Sequence, residues 1–367
     1  AWSVFDAWDR HGSLGSEWMF QALAYLGDDQ CARRLTPRIR TWPRTRTVTQ
    51  AYKGIEVLLQ IGTEVALAQI QLLALNKRYS TLAGYARDAL KTVARARGIE
   101  LEQLEDRTVP SLGFAEPGLL PLDLGSHHIH GCVDVRLKPF LTDLQGLRLS
   151  QWPECAAEDD AGIADEARAT WKSVIEDLKP LASLQLQRLE LAMVTGRSWT
   201  GLEFKRFIVG HPLMRVTGSG LVWSARASDG SITSTFSLER NAQLLDMQGN
   251  VVELHDEAEV AIPHPLQMGD VLGVWRQRFS RSKRAQPFPQ LVRKTYLPQQ
   301  DLHGDLFGLL SSTVETRSLR RLKSLGWSVD MAGVAGVIDG YSRATSLGFA
   351  SVLAEGTMVI DQTDWDD

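Results

Sequence analysis

The chain has 367 residues, 44% of them hydrophobic and 23% charged, an ordinary globular composition that excludes the disordered class. A formal net charge of −4 and a pI near 6.1 exclude a chain that is basic overall, and with it a general polyanion binder. Its three cysteines (Cys31, Cys132, Cys155) lack CxxC spacing and fit free thiols in a reduced, cytoplasmic compartment. No run of about 18 apolar residues marks a transmembrane helix, and no basic-then-apolar signal peptide is visible. The chain opens at Ala1-Trp2 inside what reads as a helix, so we read it as a segment of a longer protein.

Residues 1–106 read as stacked helices with an internal repeat. Leu26-Gly27-Asp28-Asp29 and Ile61-Gly62-Thr63-Glu64 place their glycines 35 positions apart, and Gly98 follows 36 further on. Phe20 and Leu23 precede the first glycine as Ile55 and Leu58 precede the second. Apolar rows then follow: Leu35 and Ile39, next Leu67, Ile70 and Leu73, and after Gly98, Leu101 and Leu104. The pattern is helix, glycine stop, Asp or Thr cap, helix. A two-helix unit of this size cannot bury its apolar face alone, so copies should stack. The expectation is a HEAT-like helical repeat, with an ordinary helical bundle as the alternative.

Residues 107–158 read as a β-hairpin insert and linker. Leu120 to Val135 alternates around Gly125-Ser126, and Asp143 to Leu149 turns at Gln145-Gly146. Residues 159–367 read as an α+β domain with mainly antiparallel strands. A helical region from about Asp160 to Val209 should break near Pro180 and at Gly196. Two hairpins follow, one turning at Asp229-Gly230 and one at Gln248-Gly249-Asn250. Helices are expected around Val271 to Phe279 and Thr316 to Leu325, and short Gly-bounded strands between Gly336 and Asp361. The fold class is therefore α+β.

Several residue groups carry possible chemistry. On a strand, His128, His130 and Cys132 share one face, a credible zinc or copper set. They have no fourth ligand and match no zinc module spacing, so no metal and no other cofactor is expected. His211-Pro212 and His264-Pro265 punctuate element ends, each His favouring a helix C-terminal dipole. As bases they would need an orienting carboxylate and a nucleophile, and no GxSxG or reactive cysteine context supplies them. Arg188 and Glu190 lie two apart on one helix and point away from each other. Glu190 should then reach Arg197 after the Gly196 break, with Trp199 starting the next helix. Arg with Trp can grip a phosphate or carboxylate, or lock helices together by charge and cation–π contact. Basic runs occur at Arg38 to Arg46 around Trp42, at Arg276 to Arg284 and at Arg317 to Lys323, each a solvated face or a phosphate-covering patch. There is no P-loop, no dinucleotide fingerprint, no HExxH and no EF-hand. Gly218-Ser-Gly220 and Gly333-Val-Ala-Gly336 are too short to cradle a phosphate.

Other motifs carry a resemblance. Arg188-Leu-Glu-x-Ala-Met, Arg197-x-Trp199, Phe204, His211-Pro212 and Leu221-Val-Trp223 form the densest part. Leu26-Gly-Asp-Asp29, Ile39-Arg-x-Trp-Pro43, Ile61-Gly-Thr63 and Asp106 to Gly113 precede it, and Ile262-Pro-His-Pro-Leu266 and Gln286-Pro-Phe-Pro-Gln-Leu291 follow. Together they resemble a bacterial WGR-associated domain of unknown function (DUF4132, found in MolR-like proteins) from about Leu26 to Arg293, with weaker echoes to Trp327. His127 to His130 stand where that family has basic and aromatic residues.

The candidate ligand or partner contacts are thus Arg188, Glu190, Arg197, Trp199, His211, His264, Gln286, Gln290 and Arg293. No reaction assembles from them, and the leading reading is a non-catalytic scaffold or interaction module. The resemblance implies a stress or conflict system with MoxR-type AAA ATPase and von Willebrand A-domain partners. The alternatives are an enzyme, a hydrolase or transferase acting on a phosphate-bearing or nucleotide-derived substrate, and a nucleic-acid-binding module.

Overall fold

Glycine and short polar caps set the rhythm of the first hundred residues. In the computed structural model the described residues are 3, 6, 17–45, 47–76, 78–115, 118–153, 160–227, 229–293, 295, 327–330, 338–345 and 348–355. The helices are α1 (Glu17–Leu26), α2 (Asp29–Thr45), α3 (Val48–Ile61), α4 (Glu64–Ala74), α5 (Ser80–Ala96) and α6 (Leu101–Arg107). Gly27 falls between α1 and α2, Gly62 between α3 and α4, and Gly98 between α5 and α6. Gly62 closes α3 at φ 66°, a left-handed turn without cost to a residue lacking Cβ, and its N–H returns to the Leu58 carbonyl. Thr63 then caps α4 by accepting from the Ala66 N–H, as the Asp28 carboxylate caps α2 from the Cys31 N–H at 2.9 Å. From α2 to α6 consecutive helices pack, and alternate ones do as well, α1 on α3, α2 on α4 and α3 on α5. The residues picked out by their matching offsets, Leu23, Leu35, Ile39, Ile55, Leu58, Leu67, Ile70 and Leu73, have no exposed surface.

The insert folds as a four-stranded antiparallel sheet of β1 (Leu119–Asp123), β2 (His128–Val133), β3 (Pro139–Thr142) and β4 (Arg148–Leu149), in that order. Its inward residues Leu122, Ile129, Val133 and Leu141 share a core with Trp171, Leu178 and Leu181. These three belong to α7 (Ala161–Thr195), which runs through Pro180 without the expected break. Proline removes one intrahelical hydrogen bond, but Leu178 and Leu181 flank it with no exposed surface, and their burial outweighs that loss. The helix does end at Gly196, at φ 73°.

Trp199 lies in a strand, β5 (Ser198–Thr200), and not at the start of a helix. Beyond it come a short helical turn, α8 (Gly201–Glu203), a π-helical turn at Phe204–Val209 and α9 (Pro212–Gly218). β5 pairs with β9 (Glu259–Ala261) at the edge of a five-stranded antiparallel sheet. Its remaining strands are β6 (Val222–Arg226), β7 (Ile232–Leu238) and β8 (Leu244–Asp246), in the order β5-β9-β6-β7-β8. After α10 (Pro265–Met268), α11 (Val271–Arg281) supplies Trp275 and Phe279 to a core with Val222 and Leu291. The Trp275 indole N–H donates to the Thr235 hydroxyl at 2.9 Å. A third antiparallel sheet joins β10 (Ser328–Asp330), β11 (Ile338–Thr345) and β12 (Gly348–Glu355). The expected Thr316 to Leu325 helix, Cys155 and the Gly333-Val-Ala-Gly336 stretch lie outside the described residues.

The protein is thus mixed α+β with antiparallel sheets, and no described helix is long and apolar enough to cross a membrane. Two compact units divide it. The first comprises Ala1–Ser183, Glu203–Ser219 and Arg240–Ala242, the second Leu184–Leu202, Gly220–Glu239 and Gln243–Asp367.

Candidate functional site

Most of the candidate residues fall in the second unit, where a linked polar cluster forms at the end of α7. Glu190 Oε1 accepts from Arg293 Nη1 at 2.7 Å, the side chains 12% and 22% exposed respectively. The expected partner Arg197 is turned elsewhere. Gly196 in the left-handed region redirects the chain into β5, and the Arg197 guanidinium lies over the Trp199 ring, 5.0 Å from its centroid. Trp199 is buried and meets Trp223 edge-on at 5.8 Å. Arg188 Nη1 donates to Gln185 Oε1 at 3.1 Å, back along its own helix.

His264 joins this cluster through charge. Burial, then the nearby Arg293 guanidinium, hold its imidazole below the ordinary histidine range. It caps α10: Nδ1 accepts from the Leu266 N–H at 3.4 Å, while Gln267 Oε1 accepts from the His264 N–H at 3.0 Å. Gln267 Oε1 also accepts from Arg226 Nη2 at 3.2 Å, and Arg226 Nη1 donates to the Gly196 carbonyl at 3.3 Å. Gln290 has no exposed surface and clamps backbone. It accepts from the Val222 N–H at 2.9 Å and donates to the Val222 and Pro263 carbonyls at 2.8 and 3.2 Å. Gln286 Oε1 accepts from the Leu291 N–H at 3.2 Å. The Arg226 and Gln290 contacts fix one element to another, while those of His264 and Gln286 close a cap and a turn.

His211 belongs to the first unit. Both His-Pro pairs stand at helix N-termini, not at C-termini as their sequence suggested. Proline is favoured at a first helical position, where its missing N–H loses no bond. His211 Nδ1 accepts from the Leu213 and Met214 N–H groups, both at 3.2 Å, so Nε2 carries the proton and donates to the Val109 carbonyl at 3.0 Å. Burial depresses its pKa to about 4. A neutral imidazole with both nitrogens engaged is built for capping rather than proton transfer.

The basic runs divide as well. In the Arg276 to Arg284 run, Arg276 donates to the Leu291 carbonyl, Arg278 to the Asp246 and Met247 carbonyls, and Arg284 pairs with Glu239 at 2.6 Å. Phe279 is buried. The Arg317 to Lys323 run lies outside the described residues. In the first run Trp42 is buried and Arg38 pairs with Asp6, but Arg40 and Arg44 face a cleft of about 970 Å³ in the first unit. A second cleft there, about 590 Å³, is lined by Arg33, Arg107 and His211 among others. Asp177, Arg78, Lys179, Arg226 and Gln267 matter to these sites and carried no sequence signal, since none sits in a motif. On β2, His128 is 3.7 Å from Asp123 and Cys132 Sγ lies beside the Thr142 hydroxyl. Among the described residues no three His, Cys, Asp or Glu side chains are placed to hold a metal ion.

Comparison with known proteins agrees with the motif pattern in part, the family match beginning well after the Leu26, Ile39, Ile61 and Asp106 motifs. Residues 146–327 match the model of a domain of unknown function, DUF4132. The chain is 29% identical over 333 residues to the uncharacterized protein YehI of Escherichia coli (strain K12). That alignment covers 89% of this chain and 28% of YehI, so the chain spans a little over a quarter of that relative's length. No solved structure matches the chain.

Proposed function

We propose that this chain is a non-catalytic scaffold or interaction module. One observation carries the reading: the candidate polar side chains are committed to caps, ion pairs and backbone clamps, and are divided between two units. A catalytic centre needs a base, an orienter and an open place for a reacting atom, held within hydrogen-bond reach of one another. Here His211 and Glu190 each end on a structural partner.

In this reading the three helix pairs form a short HEAT-like repeat. The packing of alternate helices, α1 on α3 and α2 on α4, supports it, because stacked pairs contact their next neighbour in that way. The division at 1–106, 107–158 and 159–367 remains our domain proposal, which limited proteolysis would test. The cytoplasmic setting, the MolR-like and WGR context, and MoxR-type ATPase and von Willebrand A-domain partners in a stress or conflict system belong to the same proposal.

An enzymatic reading has one observation in its favour, the cleft of about 590 Å³ beside His211, Arg33 and Arg107, which is of small-molecule size. Co-purifying the full-length protein with the MoxR-type ATPase and von Willebrand A-domain protein of its host separates the two. The scaffold reading expects a stable complex. It fails if neither partner associates and the chain turns over a phosphate-bearing nucleotide, with turnover lost in His211→Asn at unchanged stability.

A further inference from the structure

The two clefts of the first unit share Arg40, Leu72 and Asp177, so they meet at the Arg40–Asp177 ion pair (2.7 Å). We propose that they form one docking groove for an acidic, extended segment of a partner protein. This rests on the interaction-module reading above and names the chemistry of the partner.

Charge is the first argument. In the larger cleft Arg40, Arg44, Arg78 and Lys179 face only Glu176 and Asp177, and Asp177 is already paired with Arg40. The smaller cleft adds Arg33 and Arg107 against Glu64; Glu203 holds Arg107 at 3.4 Å and Arg206 holds Glu64 at 2.8 Å, which leaves Arg33 as the added charge. A chain with a net charge of −4 therefore concentrates positive charge in one concave place. Arg44, Arg78 and Lys179 are exposed on the cleft wall and can turn their charged ends to a docked chain. Guanidinium groups match carboxylates, which accept two parallel bonds.

Size and spacing select among anions. Each cleft alone falls within the roughly 300–1,000 Å³ of small-molecule sites, and it is the two in series, sharing Arg40, Leu72 and Asp177, that offer the length an extended chain occupies. A continuous phosphate backbone would meet Glu176 and Asp177 in the middle of the groove. An acidic peptide, whose carboxylates alternate with neutral residues, can place those neutral residues there instead. Single-stranded nucleic acid also wants open aromatic faces. Trp42 is buried, and the Tyr79 ring already carries the Arg78 guanidinium at 5.8 Å.

Fluorescence anisotropy with the full chain tests this, using a labelled peptide of alternating Glu and Ser. The Glu peptide should bind, bind more weakly as salt rises, and bind about tenfold more weakly or worse to the Arg44→Glu/Lys179→Glu double variant. Both positions are exposed, so the urea midpoint of the variant should stay that of the parent. Equal binding of a peptide with Gln in place of Glu, undiminished binding by the variant, or displacement of the Glu peptide by an equimolar single-stranded oligonucleotide each overturns the inference. If the Glu peptide does not bind while the full-length protein still co-purifies with its partner, the groove assignment falls and the interaction-module reading stands.

Discussion

Arg293 donates to Glu190 across 2.7 Å, joining residues 103 positions apart, and the same guanidinium bears on His264. One ion pair thus fastens the segment after α11 to the end of α7, and through His264 and Gln267 it connects with Arg226 and the Gly196 turn. The most distinctive residues of the sequence are in this way gathered into a brace.

Breaking that brace should destabilise the fold. In Arg293→Ala the Glu190 carboxylate stays mostly out of water without its cation, and we expect a loss of about 3 kcal/mol, the lower end for a broken buried pair because Arg293 keeps some solvent. Arg197→Ala removes a half-buried guanidinium from the Trp199 face and should cost only about 1 kcal/mol. Urea midpoints at constant slope measure both, and equal losses would refute the ranking.

Acid should weaken the fold through His211. Its folded pKa of about 4 lies below the ordinary 6.5, so only the unfolded chain takes up the proton between those values. The stability is fully present above pH 6.5 and is lost as pH falls toward 4, by up to about 3 kcal/mol. His211→Asn keeps an N-cap acceptor but does not titrate, so its stability should fall less across this window. A variant curve parallel to that of the parent would show that other groups dominate.

Gln290 offers a test by amide exchange. Gln290→Ala leaves the Val222 N–H and the Val222 and Pro263 carbonyls without this buried partner, and should lower stability by about 3 kcal/mol. The Val222 amide should exchange faster than its sheet neighbours, and protection equal to the parent's would contradict the clamp.

Gly54 sets the approach of α3 to α2. A Cβ there would stand 2.8 Å from Ile39 Cδ1 and 2.9 Å from the Trp42 ring. Gly54→Val should therefore overpack the α2–α3 contact at a cost of about 1–3 kcal/mol. Gly84→Ala, where nothing lies within 4 Å, should be neutral or slightly stabilising, and thermal melts of the pair compare them directly.

The glycine stops, the Asp28 and Thr63 caps and the hairpins at Gly125, Gly146, Gly230 and Gly249 were legible because such signals act within a few residues of chain. Each needs only a backbone angle or a hydrogen bond to a near neighbour, and every one of those glycines except Gly27 stands at positive φ. Where local rules compete with packing, the sequence misled. Pro180 promised a break that Leu178 and Leu181 override, and Trp199 promised a helix where pairing with Val260 makes a strand.

By itself, then, the sequence determined the α+β class, the helices on either side of Gly27, Gly62 and Gly98 and the apolar rows of their core, since periodicity and capping are properties of a short stretch of chain. Tertiary structure alone decided which charge meets which. Glu190 finds Arg293 and not Arg197, Arg40 finds Asp177 across 137 positions, and the Arg276 to Arg284 run turns largely onto backbone carbonyls. An ion pair depends on where two distant segments are brought by the burial of their apolar neighbours, and no spacing rule along the chain encodes that distance.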